Sequence, residues 1–356
     1  MKILCVIDSL GSGGAQRQLV GLADLLHGHG YEVKVVWYHA DSFYKEFLDA
    51  RGVDYENIVA QKRWGKWKRV YNEIRKYKPD QVIAYLDGAA IISCMARILL
   101  GERFRLIVSE RNTTQILNRH EKIKFFLYRW ADCIVSNSYS QYDFINLNFG
   151  HLSKKLVTIT NFVDTSYFKP LSQLRKYTDE IRILVVARIE QQKNVLRFLE
   201  AAKIVKAKGY CFRIDWYGDA FSMLYRQQCL DYCRELELED CFVFHKAEKN
   251  ILSIYQQADV FCLPSLFEGF PNVVCEAMSC GLPVLCGNVC DNGRIVQAGV
   301  NGYLFDPREV GEIANTIIEF IELPEERKRE LGAMSRKIAE RDFSADSFVG
   351  KYIEIL

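Results

Sequence analysis

The chain has 356 residues, more than the ~250–300 at which a single hydrophobic core usually stops growing, so two domains are expected. Hydrophobic residues make up 49% and charged residues 26%, an ordinary globular composition that excludes a largely disordered chain. The formal net charge is only +2, so the sequence shows no global attraction to nucleic acid.

Short apolar runs of strand type alternate with segments of helical period, the pattern of parallel sheets covered on both faces. In the first half the predicted strands are 2–7, 32–37, 81–85, 105–108, 132–135 and 156–159, with helices that include 15–27 and 122–130. In the second half they are 183–187, 212–217, 242–244, 260–263 and 283–285, followed by helices from 308 onward. Each half is therefore predicted to be a Rossmann-like lobe.

The predicted linker between the lobes is the polar segment 164–180, which lacks a clear hydrophobic period. The predicted domains are thus 1–163 and 181–340, and a C-terminal helix at 341–356 is expected to pack back on the N-terminal domain. No apolar stretch approaches the ~18–20 residues of a membrane span, and the N-terminal apolar run is too short for a signal peptide. We therefore expect a cytoplasmic protein, soluble or peripheral on the inner face of the cell membrane.

The twelve cysteines are scattered through apolar segments, and no pair has the C-x-x-C spacing. Reduced core thiols are the expectation, and no metal site is predicted.

Glycines follow the first predicted strand, where ligands of open parallel sheets bind. Gly13 and Gly14 open a helix there, and backbone N–H groups at a helix N-terminus favour an anion such as a diphosphate. A tight strand-to-helix turn would need glycine without any ligand, so both explanations stay open. The spacing departs from G-x-G-x-x-G, which disfavours a nicotinamide dehydrogenase.

Two cations, Arg188 and Lys193, follow the first strand of the second lobe. In that position they could stabilise the charge on a departing nucleoside diphosphate. The alternative is an ordinary solvated loop.

The segment 264–283 carries the most specific signal. Pro271 suits the first turn of a helix that ends at Cys280 and Gly281, so Glu268 lies in the preceding loop and Glu276 inside an apolar helix. A buried carboxylate without partners costs several kcal/mol, so Glu276 should be paired or bound to ligand hydroxyls. The alternative is a structural carboxylate that caps a neighbouring loop.

Glu268 and Glu276 are separated by seven residues. This spacing resembles the E-x7-E motif of retaining glycosyltransferases with the GT-B fold, in the family called GT4. The resemblance spans almost the whole chain, through the segments 13–16, 128–132, 160–164 and 301–305 and the Arg188 and Lys193 pair. It implies an α/β GT-B fold, in which two Rossmann-like lobes with parallel sheets face a central cleft. It also implies a metal-independent enzyme whose only co-substrate is a nucleotide-sugar.

The resemblance also assigns roles to individual residues. Glu276 would accept hydrogen bonds from the donor ribose, Glu268 would hold hydroxyls of the transferred sugar, and Arg188 and Lys193 would neutralise the diphosphate. The other donor-binding positions would be Gly13, Gly14, Gly269, Phe270, Pro271 and Asn272.

Two segments depart from the family pattern. Where many relatives carry a histidine after the fourth strand of the first lobe, this chain reads Ser109-Glu110-Arg111-Asn112. Glu110 is a candidate catalytic replacement, and Arg111 and Asn112 are candidates for acceptor or sugar contacts. Where many relatives carry a glutamate after a glycine-rich turn, the segment 291–296 has none, so that side-chain role does not transfer.

The stretch 62–69 concentrates five cations and two tryptophans. Such a segment could attach to an anionic membrane surface, and the alternative is an ordinary solvated helix. The expected function is transfer of a hexose or N-acetylhexosamine from a nucleotide-sugar to a lipid-linked saccharide. The expected donor is a UDP-sugar, and the expected process is polysaccharide, lipopolysaccharide O-antigen or glycan biosynthesis. The alternatives are a sugar-nucleotide epimerase or hydrolase on the same fold and a non-catalytic sugar-nucleotide-binding protein.

Overall fold

The computed structural model describes residues 1–60, 62–101, 103–112, 114, 116–172, 176–248 and 250–356, without the side chain of Arg63. The chain forms two compact units. The first comprises Met1–Asn161 and Ala345–Leu356, and the second comprises Phe162–Ser344.

The first unit alternates strands and helices. In chain order these are β1 (Lys2–Ile7), α1 (Gly14–Gly28), β2 (Glu32–Trp37), α2 (Lys45–Arg51), β3 (Asp54–Asn57), α3 (Arg63–Tyr77), β4 (Gln81–Tyr85), α4 (Asp87–Leu100), β5 (Arg105–Glu110), α5 (Arg119–Leu127), β6 (Cys133–Ser136), α6 (Tyr139–Asn148) and β7 (Leu156–Thr158). The strands form one parallel sheet in the order β3-β2-β1-β4-β5-β6-β7.

The second unit repeats this alternation. Its elements are β8 (Ile181–Val186), α7 (Val195–Ala207), β9 (Phe212–Tyr217), α8 (Met223–Glu235), β10 (Phe242–His245), α9 (Leu252–Gln257), β11 (Val260–Leu263), α10 (Asn272–Ser279), β12 (Val284–Gly287), α11 (Asn292–Ile295), β13 (Gly302–Phe305), α12 (Val310–Glu322) and α13 (Glu325–Asp342). The sheet order is β10-β9-β8-β11-β12-β13, and every pairing is parallel. The predicted α/β class with two Rossmann-like lobes is confirmed.

Strands that are buried on both faces were predicted well, because they read as continuous apolar runs. Residues 3–7 of β1 are all fully buried, and its predicted bounds match the structure. The sequence prediction missed β3 and β13. The polar strand β3 lies at the sheet edge. In β13, a Cβ added at Gly302 would lie 1.8 Å from the Val284 carbonyl oxygen, so this strand needs glycine to approach its neighbour.

The predicted linker begins as a packed segment of the second unit. Phe168 is 8% exposed and belongs to a core cluster of this unit. Arg336 of α13 donates to the carbonyl oxygens of Thr165 and Phe168 at 3.0 and 2.8 Å. The boundary between the units lies at Asn161, earlier than predicted, and residues 173–175 of the predicted linker lie outside the described residues.

The chain ends in the first unit with helix α14 (Ala345–Ile353). Tyr352 is fully buried, and its hydroxyl lies 2.8 Å from the Tyr85 hydroxyl at the end of β4. The last residues of the chain are therefore part of the core around β4.

All twelve cysteines are free thiols, and all but Cys211 and Cys290 are buried. Burial raises the pKa of the Cys5 and Cys94 thiols to about 12, so these groups stay protonated at neutral pH. Within the described ranges, no helix is both long enough and apolar enough to cross a bilayer.

Candidate active site

The carboxyl edge of the second sheet brings two loops together. Strands β8 and β11 are parallel neighbours, so the loops that follow them leave the same edge. The Leu266 N–H donates to the Gln192 carbonyl oxygen at 2.9 Å, and Gln192 Nε2 donates to the Phe267 carbonyl oxygen at 2.8 Å. These contacts place the next residue of each loop, Lys193 and Glu268, opposite each other.

Lys193 and Glu268 form an ion pair, with Lys193 Nζ 2.6 Å from Glu268 Oε1. Their side chains are only 12% and 9% exposed, so both charges have lost most of their hydration. Dehydrating two charges offsets much of their attraction, so such a pair is weak evidence for a role in stability alone. An ammonium has three N–H donors, and this contact uses one of them, so Lys193 can also bind an anion.

Asn194 fixes the end of the same loop. Its backbone is left-handed with φ of 62°, a conformation that asparagine tolerates better than most residues. Its Nδ2 donates to the Pro307 carbonyl oxygen at 2.6 Å, and helix α7 begins at the next residue. Lys193 is thus the last residue of a short 3-10 turn, and only Asn194 separates it from the helix.

Arg188 makes different contacts at this edge. Its side chain is 50% exposed, and Nη2 lies 3.0 Å from Glu190 Oε1. The guanidinium carbon lies 4.5 Å from the ring centroid of Phe221, which follows β9 and is itself exposed. Cation–π contacts of exposed groups are weak, so Arg188 can rearrange toward a ligand at low cost.

Glu276 is the buried carboxylate that the sequence predicted inside α10. It is 5% exposed, and its Oε2 accepts a hydrogen bond from the Tyr255 hydroxyl at 3.0 Å. Tyr255 lies on α9 and is fully buried. The sequence prediction missed this partner, because one tyrosine in a polar helix carries no signal of its own.

The loop before α10 is more buried than the sequence predicts. Phe270 is 7% exposed and packs edge-to-face on Phe343 at 5.7 Å, so its side chain is a core residue. The Asn272 N–H already donates to the Phe270 carbonyl oxygen at 3.0 Å. Donor binding by the backbone of this loop stays a prediction. Gly269 stays partly accessible, whereas Pro271 is buried and has no N–H.

Gly13 and Gly14 lie at the start of α1 in the first unit. Gly13 is the N-cap residue, has extended backbone, and provides no side-chain cap. The first turn of α1 holds no acidic residue, so no carboxylate there offsets the positive end of the helix dipole. A Cβ added at Gly13 would lie 2.3 Å from Gln16 Oε1, but this atom is the end of a flexible side chain that can move away, so the contact does not require glycine.

Glu110 lies in a fully buried charge cluster at the end of β5. Its Oε2 is 2.8 Å from Lys124 Nζ, and its Oε1 accepts a short hydrogen bond from the Tyr128 hydroxyl. Burial raises the pKa of the Glu110 carboxyl above its usual value, and the Lys124 ammonium opposes that shift. The predicted catalytic role for Glu110 is corrected to a structural one, because the carboxyl is 0% exposed and bound on both oxygens.

Arg111 is also held by the first unit. It donates from Nη1 to Asn161 Oδ1 at 2.7 Å and from Nη2 to the hydroxyls of Tyr85 and Tyr352 at 2.5 Å. Because Tyr352 belongs to α14, Arg111 ties the end of the chain to β4. Arg111 and Asn112 were both predicted to contact the acceptor or the sugar. Asn112 is exposed, so it is the accessible residue of this pair.

The segment 291–296 also serves the fold. Asp291 is 1% exposed and Asn292 is fully buried, and Asn292 Nδ2 donates to the Gly287 carbonyl oxygen at 2.9 Å. These side chains stabilise the turn after β12.

One cluster has the residue types of a metal site. Ligand atoms of Asp87, His120 and Glu121 in the first unit lie within 4.8 Å of one another. Lys124 Nζ already lies 3.3 Å from Asp87 Oδ1 and 2.7 Å from Glu121 Oε2, so an ammonium supplies the positive charge there.

Two family models match the chain. Residues 169–337 match the family described as Glycosyl transferases group 1, and residues 12–167 match Glycosyltransferase Family 4.

Two curated bacterial proteins are similar over most of their length. The chain is 28% identical over 292 residues to the GalNAc-alpha-(1->4)-GalNAc-alpha-(1->3)-diNAcBac-PP-undecaprenol alpha-1,4-N-acetyl-D-galactosaminyltransferase of Campylobacter jejuni, covering 78% of this chain and 77% of the relative. It is 26% identical over 325 residues to the amylovoran biosynthesis glycosyltransferase AmsD of Erwinia amylovora, covering 86% of each.

One similar solved structure is Anabaena Alr3699/HepE in complex with UDP. It superposes with a TM-score of 0.87 at 20% identity, covering 100% of this chain and 99% of that one. At this identity the likeness shows the fold.

Proposed function

This chain belongs to the GT4 glycosyltransferases and has their GT-B fold, and from that premise we propose that it is a retaining hexosyltransferase. It transfers a hexose or N-acetylhexosamine from a UDP-sugar to a lipid-linked saccharide in the biosynthesis of a bacterial surface polysaccharide. The Campylobacter relative is named for an undecaprenol-linked acceptor and the Anabaena structure contains UDP, which supports this choice of acceptor and donor.

The ion pair of Lys193 and Glu268 carries the proposal. Transfer breaks the bond between the anomeric carbon and a phosphate oxygen, so negative charge builds on the departing UDP. Lys193, with Arg188 turned from Phe221, stabilises that charge. Glu268 orients the sugar hydroxyls beside the same ammonium.

Glu276 binds the ribose of the donor. Its Oε2 is oriented by the Tyr255 hydroxyl, and the carboxylate accepts hydrogen bonds from the ribose hydroxyls. The acceptor oxygen then attacks the anomeric carbon from the face that UDP leaves, and its proton passes to the departing phosphate oxygen. This front-face course follows the family resemblance. Two protein cations supply the charge that a metal ion would otherwise provide, so added chelator should leave turnover unchanged.

Product analysis tests the reaction class. The purified chain is incubated with UDP-sugars, with and without lipid-linked saccharide acceptors. Glycosylated lipid formed only in the presence of acceptor supports the proposal. Free sugar without acceptor would identify a hydrolase, an isomeric nucleotide-sugar would identify an epimerase, and UDP-sugar binding without any turnover would identify a non-catalytic binding protein.

Two substitutions test the residue roles. Glu276→Ala should weaken UDP affinity roughly ten-fold, because a charge-assisted hydrogen bond to ribose is lost. Glu268→Ala should lower kcat more than UDP affinity, because it touches the sugar. Glu237→Ala is the matched control, since that carboxylate is 83% exposed and pairs only loosely with Lys203. Unchanged kinetics in both site variants would contradict the assignment.

We also propose that the outer face of α3 attaches the protein to an anionic membrane. Lys62, Lys68 and Arg69 are exposed, and Trp64 is 75% exposed, whereas Val70 and Ile74 pack inward. The side chain of Arg63, part of the predicted patch, lies outside the described residues. Each basic residue near an anionic leaflet contributes about 1 kcal/mol.

Liposome sedimentation tests this attachment. Binding should require anionic lipid and should fall when both Lys68 and Arg69 are replaced by glutamate. Equal binding to neutral and anionic vesicles would contradict it.

A further inference from the structure

The first unit contains a cavity of about 480 Å³ at the carboxyl edge of its sheet. Three helices begin beside it, and their first turns contribute Trp64 and Lys66 of α3, Gly88 of α4 and His120 of α5. Helix N-termini present N–H groups and partial positive charge, so their meeting at one cavity favours an anion.

One residue of the cavity lining has a donor without an acceptor. Trp67 lines the cavity, and its indole N–H is buried and unpaired within the described part of the chain. A buried N–H normally has a partner, so this one requires an explanation. Because Nε1 itself is inaccessible to solvent, a ligand oxygen can supply the acceptor only when the Trp67 ring turns toward the cavity.

Lys66 turns into the cavity, unlike the exposed cations of the same helix. Its Nζ lies 2.9 Å from His39 Nε2 and 5.6 Å from the ring centroid of Tyr38. A lysine ammonium has only donors, so His39 accepts at Nε2, and the other two N–H groups of Lys66 can serve an anion.

Three acidic side chains lie near the polar end of the cavity, and one of them, Glu121, pairs with Lys124 at 2.7 Å. Asp87 is 3.3 Å from Lys124 and 3.7 Å from His120, so cations of the protein already face it. Asp8 lines the cavity and accepts from the Ser9 N–H at 2.7 Å. Asp8 is the one carboxylate among the lining residues, and the charge of Lys66 on the same lining balances it.

The other end of the cavity is apolar and continues as a stripe. Ile91, Ile92 and Met95 of α4 line the cavity. At 3.6 residues per turn, Ile98 and Leu99 fall with them on one arc of about 120°. These two residues are 43% and 59% exposed, so the stripe leads from the cavity to the surface of the unit. A long apolar chain fits this track better than a sugar does.

We infer that this cavity binds the diphosphate and the first isoprenyl units of the lipid-linked acceptor. Lys66 and the Trp67 N–H contact the diphosphate, and the α4 stripe holds the prenyl chain. The inference rests on the proposed function, and it goes further by naming the part of the acceptor that is recognised and the residues that recognise it.

Binding of a fifteen-carbon prenyl diphosphate to the full chain, measured by calorimetry in the presence of EDTA, tests the inference. Lys66→Ala should weaken binding at least about ten-fold. Trp67→Phe removes the N–H and part of the ring, and it should weaken binding about five-fold. Lys154→Ala removes one exposed charge from the same unit at a residue outside the cavity lining, and it should leave affinity unchanged. Ile92→Asn should weaken the prenyl diphosphate but not inorganic diphosphate.

Several outcomes would overturn the inference. Equal losses in Lys66→Ala and Lys154→Ala would mean general surface attraction instead of a cavity site. Equal affinity for the uncharged prenyl alcohol would mean that the diphosphate is not recognised, and failure of the wild type to bind would refute the site outright. UDP binding and sugar transfer are measured on the same variants. If Lys66→Ala still binds UDP and transfers sugar as the wild type does, the cavity site is refuted while the proposed function stands. If the wild type does not bind UDP, the proposed function itself is contradicted.

Discussion

Replacing Lys193 with methionine separates the structural and catalytic roles of its ion pair. Methionine keeps the apolar stem but removes the charge that lies 2.6 Å from Glu268. Breaking a buried pair by removing one partner costs about 3–5 kcal/mol. Because the Glu268 side chain retains 9% exposure, we expect the lower end, about 3 kcal/mol, in the unfolding free energy of the second unit.

The double variant Lys193→Met/Glu268→Gln no longer leaves a charge unpaired. Its stability should therefore return to within about 1 kcal/mol of the wild type. Turnover should not return, since neither variant has the cation that stabilises departing UDP, and kcat/KM should stay about 10²-fold to 10³-fold low.

Urea unfolding followed by circular dichroism measures the stability, and product formation measures kcat/KM. Lys203→Met is the control, because its ion pair is exposed and should contribute less than about 1 kcal/mol. A Lys193→Met protein as stable as the wild type would refute the energetic reasoning. Recovery of turnover in the double variant would refute the catalytic role.

Two further substitutions test the packing of each unit. Lys124→Met leaves Glu110 buried without its cation, so the pKa of Glu110 should rise further, and the loss should reach about 3–5 kcal/mol at pH 8. Because a raised pKa favours the protonated carboxyl in the folded state, the loss of unfolding free energy should be smaller at pH 5 than at pH 8. Urea unfolding measures this difference, and an equal loss at both pH values would contradict the explanation. Gly332→Ala should destabilise by about 1–3 kcal/mol, because the new Cβ would lie 2.4 Å from the Gly281 carbonyl oxygen. Gly350→Ala, also in a helix but with no atom within 4 Å of the new Cβ, should be neutral or stabilising in thermal unfolding, and equal effects of both would show that packing is not the cause.

The sequence by itself determined the architecture and the chemical types in the site. Strands buried on both faces read as apolar runs, so β1, β4 and β11 were predicted at their observed bounds. The bounds of β2 and β9 were also predicted, although β2 contains Lys34 and β9 alternates buried with half-buried residues. Glu276 was recognisable because an acid inside an apolar helix demands a partner. These signals are local, since they depend on residues within one strand or one helical turn.

Only the tertiary structure decided which side chains meet. Lys193 and Glu268 are 75 residues apart, and they touch because β8 and β11 are neighbours in the sheet order. The same applies to Glu110, a candidate catalytic residue in the sequence, which lies buried against Lys124 and Tyr128. Hydrophobic period predicts which face of an element is buried, but it does not specify the neighbour that covers that face, and the neighbour sets each group's charge state and accessibility.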